Sequence, residues 1–125
     1  MFFCPVCHSE IAERDPCCPV CGADVTAELG RPYVDRLVRA LENPLSEVRM
    51  GSIIALGMRG DTAAASALAE CAFRHPTDIV EGLAIVHALQ HLPDSVSRKM
   101  ALVRLARHPA HAVRQAVRVF IQAHA

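Results

Sequence analysis

Two copies of one short phrase, Cys-Pro-Val-Cys, stand near the start of this sequence with ten residues between them. Each Cys-x-x-Cys turn presents two sulfur atoms to one ion, so two facing turns complete a tetrahedral set of ligands. A segment this short has no hydrophobic core of its own, and a bound ion would hold it in shape. We therefore predict a metal site in this segment. The predicted ligands are Cys4, Cys7, Cys18 and Cys21.

The fourth ligand requires a choice, because Cys17 directly precedes the second phrase. Cys17 is separated from Cys21 by three residues, whereas Cys18 and Cys21 repeat the spacing of the first phrase. Tight metal-binding turns require that spacing. We therefore predict Cys18 as the ligand and keep Cys17 as the alternative.

About the first 25 residues resemble the short zinc-ribbon modules common at the ends of bacterial proteins. Their pattern is an aromatic residue, CPxCG, about ten residues and CPxCG again. The resemblance implies that the same four cysteines are ligands, that Phe3 is the aromatic residue and that Ile11 packs the small hairpin. This sequence departs from the pattern twice. His8 stands where the first turn usually has Gly, which implies either a strained turn or an outward-pointing ring, and Cys17 replaces an aromatic residue.

The expected ion is Zn²⁺ in a structural role. Four protein sulfurs fill a tetrahedral site and leave no position for water or substrate. Iron suits the same thiolates, but the ten-residue separation fits a zinc ribbon better. Two alternatives remain open, namely reduced thiols without a metal and a redox dithiol. A redox dithiol usually has a Cys-x-x-Cys at a helix N-terminus beside a βαβ pattern, and no such pattern is visible in the sequence.

A second repetition governs the rest of the chain. Similar phrases follow Pro44, Pro76 and Pro109, with spacings of 32 and 33 residues. A period near 33 is typical of stacked helical hairpins. Hydrophobic residues make up 52% of the chain, yet it has one Tyr and no Trp, so Ala, Leu, Val and Ile carry the apolar content, as in packed helices.

The period predicts about six helices. In the first one the apolar spacing predicts that Tyr33, Val34, Leu37, Val38 and Leu41 are buried. The second is expected to break at the glycine-containing turn 57–60. The predicted helices lie near 32–42, between Pro44 and residue 57, and near 62–74, 78–92, 95–107 and 110–124.

The phrases NPLSEVRMGSIIALGMRGD and HPAHAVRQAVRVF resemble HEAT-like repeats of the kind found in phycobilin-lyase-related proteins and many bacterial scaffolds. The resemblance covers residues 31–125 and implies an all-α fold, a right-handed α-solenoid of helical hairpins, with the zinc ribbon in residues 1–28. It also implies a polar ladder from repeat to repeat. Arg49, Glu81 and Arg114 form either this alternating ladder or a row of separate solvated side chains.

The last helix carries a basic edge formed by His111, Arg114 and Arg118. We predict this edge as a candidate partner-binding site, the alternative being an ordinary solvated face. The charge of the chain is uneven, because every charged residue after Asp94 is basic, while residues 1–28 carry five acidic side chains and one arginine.

Other groups give little support for catalysis. His87 and His91 lie four residues apart without an HExxH frame, and we interpret them as structural or surface histidines. Cys71 lies in an Ala-rich helix and is interpreted as a small buried hydrophobic residue. No Ser/His/Asp array, phosphate-binding loop or close carboxylate pair can be assembled, and no small-molecule substrate is evident.

These observations predict a non-catalytic protein–protein interaction module, either an adaptor, a scaffold or an accessory subunit, that binds a protein partner or itself. A nucleic-acid accessory protein is the alternative, disfavoured by the net charge of zero and the acidic N-terminal segment. A lyase-like or thiol-redox enzyme is the third possibility. No membrane span or targeting segment is evident, so we expect a cytoplasmic location.

Overall fold

The computed structural model describes residues 2–124, in which two short strands precede seven α-helices. Strand β1 (Phe2–Phe3) pairs antiparallel with β2 (Glu10–Ile11), and Phe2 lies opposite Ile11. The helices are α1 (Val25–Leu29), α2 (Tyr33–Ala40), α3 (Ser46–Arg59), α4 (Ala65–Arg74), α5 (Ile79–His91), α6 (Val96–Leu105) and α7 (His111–Ala123). Six of these helices match the predicted ones, and the additional helix is the short α1.

The helices pack in two rows. In one row α3 packs against α5, and α5 packs in turn against α7. In the other row α4 packs against α6, while α2 packs against α3 at the N-terminal end. The fold is therefore all-α and solenoid-like, with a small N-terminal segment, as the sequence predicted. Fully buried aliphatic side chains fill the space between the rows, among them Ile53, Leu56, Leu68, Ile85, Leu89 and Leu105.

Short polar side chains set the beginning of several helices. Asp78 accepts a hydrogen bond from the N–H of Glu81 at the start of α5, and Ser95 accepts one from Arg98 at the start of α6. Asp61 caps the single 3₁₀ turn Thr62–Ala64 that leads into α4. Such caps satisfy backbone donors that the first helical turn leaves free.

The expected break at residues 57–60 is only partly right. Helix α3 continues through Gly57 to Arg59 and ends at Gly60, whose φ of 68° is left-handed. Gly57 is helical, and a Cβ at this position would lie 2.9 Å from the Cα of Ala88 on α5. The absence of a side chain at Gly57 thus permits the close approach of α3 and α5.

The prediction that Tyr33 is buried is wrong. Its side chain is 51% exposed, and the guanidinium of Arg59 lies 5.1 Å from the ring centroid. Leu41 is fully buried as expected, whereas Val34 and Leu37 are partly buried against the core. Helix α2 therefore rests on the stack along one edge only.

Across residues 2–124, none of the helices combines the length and the apolar character that crossing a membrane requires.

Candidate metal centre

The four cysteines of the two repeated phrases lie close together. The Sγ atoms of Cys4 and Cys21 are 3.7 Å apart, and those of Cys7 and Cys18 are 3.6 Å apart. All four sulfur atoms lie within 4.8 Å of one another. A tetrahedron with metal–sulfur bonds of about 2.3 Å has edges of about 3.8 Å. The cluster could therefore hold one four-coordinate metal ion.

The backbone of each turn points at sulfur. The N–H groups of Val6 and Cys7 lie 3.4 and 3.5 Å from the Sγ of Cys4, and the N–H of Val20 lies 3.4 Å from the Sγ of Cys18. Such N–H groups stabilise thiolate charge. Cys4 and Cys18 are buried in a small separate core with Ile11 and Val25, which holds the two turns against each other.

The cysteines of the cluster have very different pKa values. A hydrogen bond from Ser9 lowers the pKa of Cys7 to about 6. The N–H of Ala23 lowers the pKa of Cys21, but burial and the neighbouring thiols outweigh it and raise that pKa to about 12. Four thiolates at this distance repel one another, and a divalent cation is the group that would let all four ionise. The donor set therefore fits a thiolate-binding metal ion.

His8 occupies the position that Gly22 has in the second turn. The N–H of His8 donates to the carbonyl of Cys4, and the N–H of Gly22 donates to the carbonyl of Cys18, both at 2.9 Å. The φ angles are 65° for His8 and 76° for Gly22, both left-handed. This conformation costs a non-glycine residue about 1–2 kcal/mol. Of the two possibilities that the sequence left open, the structure thus has the strained turn.

Cys17 is exposed and lies outside the sulfur cluster. It forms an isolated β-bridge with Asp24, which also caps α1 by accepting a hydrogen bond from Ala27. The second turn therefore continues directly into a helix. That Cys18 rather than Cys17 binds a metal remains a prediction.

Two polar contacts join the N-terminal segment, which contains the sulfur cluster and α1, to the helical stack. The Nδ1 of His8 lies 3.4 Å from the Nδ2 of Asn43, and Glu28 on α1 accepts from Arg39 on α2 at 3.5 Å. A shallow cavity of about 250 Å³ lies beside them, between the first turn and α2.

A second cluster lies inside the helical stack. The sequence offered the pairing of Arg49 with Glu81 as one alternative, but it did not indicate the burial of this pair or its contacts with Cys71 and His75. Glu81 on α5 is 1% exposed and receives Arg49 from α3, whose Nε and Nη2 lie 3.0 to 3.2 Å from its carboxylate oxygens. This hydrogen bonding with Glu81 raises the pKa of Arg49. The Sγ of Cys71 donates to Oε1 of Glu81 at 3.1 Å, and the Nδ1 of His75 lies 3.4 Å from the same oxygen.

This buried cluster is a hydrogen-bond network and a poor metal site. The donor atoms of Cys71, His75 and Glu81 lie within 4.8 Å of one another. Burial and the hydrogen bond to Glu81, however, raise the pKa of Cys71 to about 12, so this cysteine stays a thiol. The carboxylate of Glu81 is already neutralised by Arg49. Cys71 is buried as predicted, but it also acts as a hydrogen-bond donor, a role that its Ala-rich surroundings did not indicate.

Among the described residues, the expected polar ladder consists of one ion pair. Arg49 pairs with Glu81, but no contact joins Glu81 to Arg114 within the part of the chain that the structure describes. Arg114 instead donates to the carbonyls of His108 and Pro109 at 2.7 and 2.8 Å. The ladder alternative therefore holds for the first pair of repeats only.

The other candidate residues lie on the surface. His111 and Arg118 are exposed, whereas Arg114 is half-buried, and their role as a partner-binding edge remains a prediction. His87 and His91 are exposed, with ring centroids 4.5 Å apart, and the Nδ1 of His91 lies 2.9 Å from the carbonyl of His87.

The helical hairpins stacked in two rows define a repeat protein of the α-solenoid class. The sequence pattern of the family HEAT repeats matches residues 22–90, more than half of the chain, and the chain therefore belongs to the HEAT-repeat family. Repeats of this family generally mediate protein interactions and are typically non-catalytic. No curated protein and no solved structure matches the chain.

Proposed function

We propose that this protein is a non-catalytic protein-interaction module, acting as an adaptor, a scaffold or an accessory subunit of a larger complex. Residues 1–28 bind a structural Zn²⁺, and residues 31–125 form a HEAT-repeat surface that holds a protein partner. The observation that carries the proposal is the combination of a four-sulfur cluster with a helical stack that exposes large apolar side chains.

The composition of the cluster supports a structural metal. All four positions of a tetrahedral site are taken by Cys4, Cys7, Cys18 and Cys21, so substrate and water have no place on the ion. Thiolate ligands favour zinc over harder cations. Such a site requires reduced thiols, which suits the cytoplasm.

The surface of the helical stack supports the interaction role. Ile54 and Met58 on α3 are 53% and 81% exposed, and Val80 on α5 is 71% exposed. Between the two helices lies a shallow, mostly apolar pocket of about 130 Å³. Exposed apolar side chains beside a shallow apolar pocket favour protein association.

The buried groups support a non-catalytic role. The thiol of Cys71, with its pKa raised to about 12, and the carboxylate of Glu81 are both buried in the core. Cys71 donates its hydrogen bond to Glu81, and the carboxylate of Glu81 is bound by Arg49. Their arrangement stabilises the stack and offers no activated nucleophile or base.

The test is native mass spectrometry of the tagged protein purified from its own cells, with nuclease treatment and metal analysis. We expect one zinc per chain and one protein partner in a fixed stoichiometry that survives the nuclease. A Cys18→Ser variant provides the control that separates loss of metal from loss of partner. Nuclease-sensitive recovery of nucleic acid in place of a protein partner, or enzymatic turnover by the cysteines, would contradict the proposal.

A further inference from the structure

Arg49 and Arg114 are held in the same way in two different repeats. Each stands six residues after the first residue of an X-Pro pair. The Nη1 of Arg49 donates to the carbonyls of residues 43–44 at 2.9 and 3.0 Å. The Nη1 of Arg114 donates to the carbonyls of residues 108–109 at 2.7 and 2.8 Å. The two guanidinium groups thus occupy equivalent positions.

The two arginines differ in the contacts of the other guanidinium edge, which Nε and Nη2 form. In Arg49, Nε and Nη2 bind both carboxylate oxygens of Glu81 in the next repeat. In Arg114 the same two nitrogens donate to no acceptor between residues 2 and 124. An arginine fork matches a carboxylate in a bidentate geometry. Arg114 therefore presents the edge that Arg49 uses for Glu81.

An open groove of about 290 Å³ lies beside Arg114. Its apolar part includes Ala106 and Ile121, the latter 44% exposed. Both charged side chains that line it, Arg114 and Arg118, are cationic, and among the described residues no carboxylate does so. Apolar side chains, the two arginines and Gln122 thus line the groove, and Gln115 accepts a hydrogen bond from the guanidinium of Arg118 at 3.4 Å.

The contact of α5 with α3 shows what such a surface receives. Helix α5 brings Glu81 to the Nε–Nη2 edge of Arg49 and packs along α3. The occupant is thus a helix with a carboxylate near its start and apolar side chains along the same face. Binding of an amphipathic helix in an apolar groove is a common form of protein recognition.

We infer that this groove binds an amphipathic α-helix of a partner protein, which places one carboxylate on Arg114 and apolar side chains on Ala106 and Ile121. The inference rests on the proposed function and names the chemistry of the partner. Charge complementarity and the internal example of Arg49 and Glu81 carry it.

The probe is a fluorescein-labelled synthetic peptide of residues 76–93, the segment that contains α5 and Glu81. Fluorescence anisotropy with the full-length protein is expected to show saturable binding. We expect a Glu81→Gln substitution in the peptide to weaken binding about tenfold, because it removes a charged hydrogen-bond acceptor. Arg114→Gln in the protein should weaken binding of the unmodified peptide to a similar extent. Combining the two substitutions should cost little more than either alone, because both remove one contact.

Two further variants of the protein serve as controls. Lys99→Gln removes one positive charge from an exposed side chain outside the groove and should leave binding unchanged. Ile121→Glu leaves Arg114 and its carbonyl contacts in place but adds a carboxylate to the groove, so it should abolish binding. Thermal unfolding followed by circular dichroism verifies that each variant is folded.

Several results would overturn the inference. They include the absence of saturable binding, equal binding by wild type, Arg114→Gln and Ile121→Glu, and a wild-type homodimer that Arg114→Gln converts to a monomer, since the last would assign the groove to a second copy. The proposed function is tested separately. If Arg114→Gln still recovers the native partner in the wild-type stoichiometry, the partner binds elsewhere, and only the assignment of the groove is wrong.

Discussion

The guanidinium of Arg49 and the carboxylate of Glu81 form a buried ion pair between neighbouring repeats, 32 residues apart in the sequence. Their side chains are only 6% and 1% exposed. Each charge is neutralised by the other, and Cys71 adds a hydrogen bond to the same carboxylate. Removal of one partner would therefore leave an uncompensated charge in the interior.

Glu81→Gln is expected to lower the free energy of unfolding by about 3 kcal/mol, because Arg49 then remains charged and buried. Urea denaturation followed by circular dichroism measures this change. The matched control is Glu70→Gln, since Glu70 pairs with Arg104 at 3.6 Å on the surface. Exposed pairs contribute about 0 to 1 kcal/mol. Equal destabilisation by the two substitutions would show that burial of the first pair has no energetic weight.

Two glycines of α3 should respond oppositely to the same substitution. A Cβ at Gly57 would meet Ala88 at 2.9 Å, whereas a Cβ at Gly51 would have nothing within 4 Å. Overpacking costs about 1–3 kcal/mol, and alanine gains about 1 kcal/mol over glycine inside a helix. We expect Gly57→Ala to lower the melting temperature and Gly51→Ala to raise it. A higher melting temperature for both variants would contradict the close contact of α3 and α5.

The metal content of single-cysteine variants distinguishes Cys17 from Cys18. Cys18 lies 3.6 Å from Cys7 in the sulfur cluster, while Cys17 is exposed. Elemental analysis of purified protein should find about one zinc per chain in the wild type and in Cys17→Ser. Cys18→Ser should have lost most of it, because three sulfurs bind zinc much more weakly than four. The reverse pattern would make Cys17 the ligand.

The reactivity of the six thiols should follow three classes. With metal bound, only the exposed Cys17 should react rapidly with an alkylating reagent. A chelator should then expose the four clustered cysteines, while Cys71 stays protected by burial and by its pKa of about 12. Peptide mapping by mass spectrometry identifies the modified residues. Alkylation of Cys71 in the folded protein would contradict the network around Glu81.

Local patterns sufficed to predict most of the fold. The spacing of Pro44, Pro76 and Pro109 predicted the hairpins, because it repeats the supersecondary unit itself. The five-residue helix α1 was missed since it is too short for an apolar period, although Asp24 does cap it. Gly57 was interpreted as part of a turn. Its real constraint is the distance to α5, which no local pattern contains.

One candidate site could be predicted from local sequence patterns, whereas the other depends on tertiary packing. The clustering of the four sulfurs follows from two short phrases, each of which fixes its own turn. The meeting of Arg49, Cys71 and Glu81 depends instead on how α3, α4 and α5 pack. The repeat frame aligned Arg49 with Glu81 but contained no information on whether the pair would be buried. Cys71 could be found only from the packing.

Asn43 makes three contacts that connect the N-terminal metal-binding turn to the first helical hairpin. Its side chain touches His8 of the first turn at 3.4 Å, accepts the N–H of Leu45 at 2.9 Å, and its carbonyl receives Arg49 at 2.9 Å. A displacement of the metal-binding turn relative to the first hairpin must therefore break a contact of Asn43 or pull on the salt bridge behind it. Asn43 thereby couples the position of the metal-binding turn to the salt bridge between Arg49 and Glu81 inside the stack.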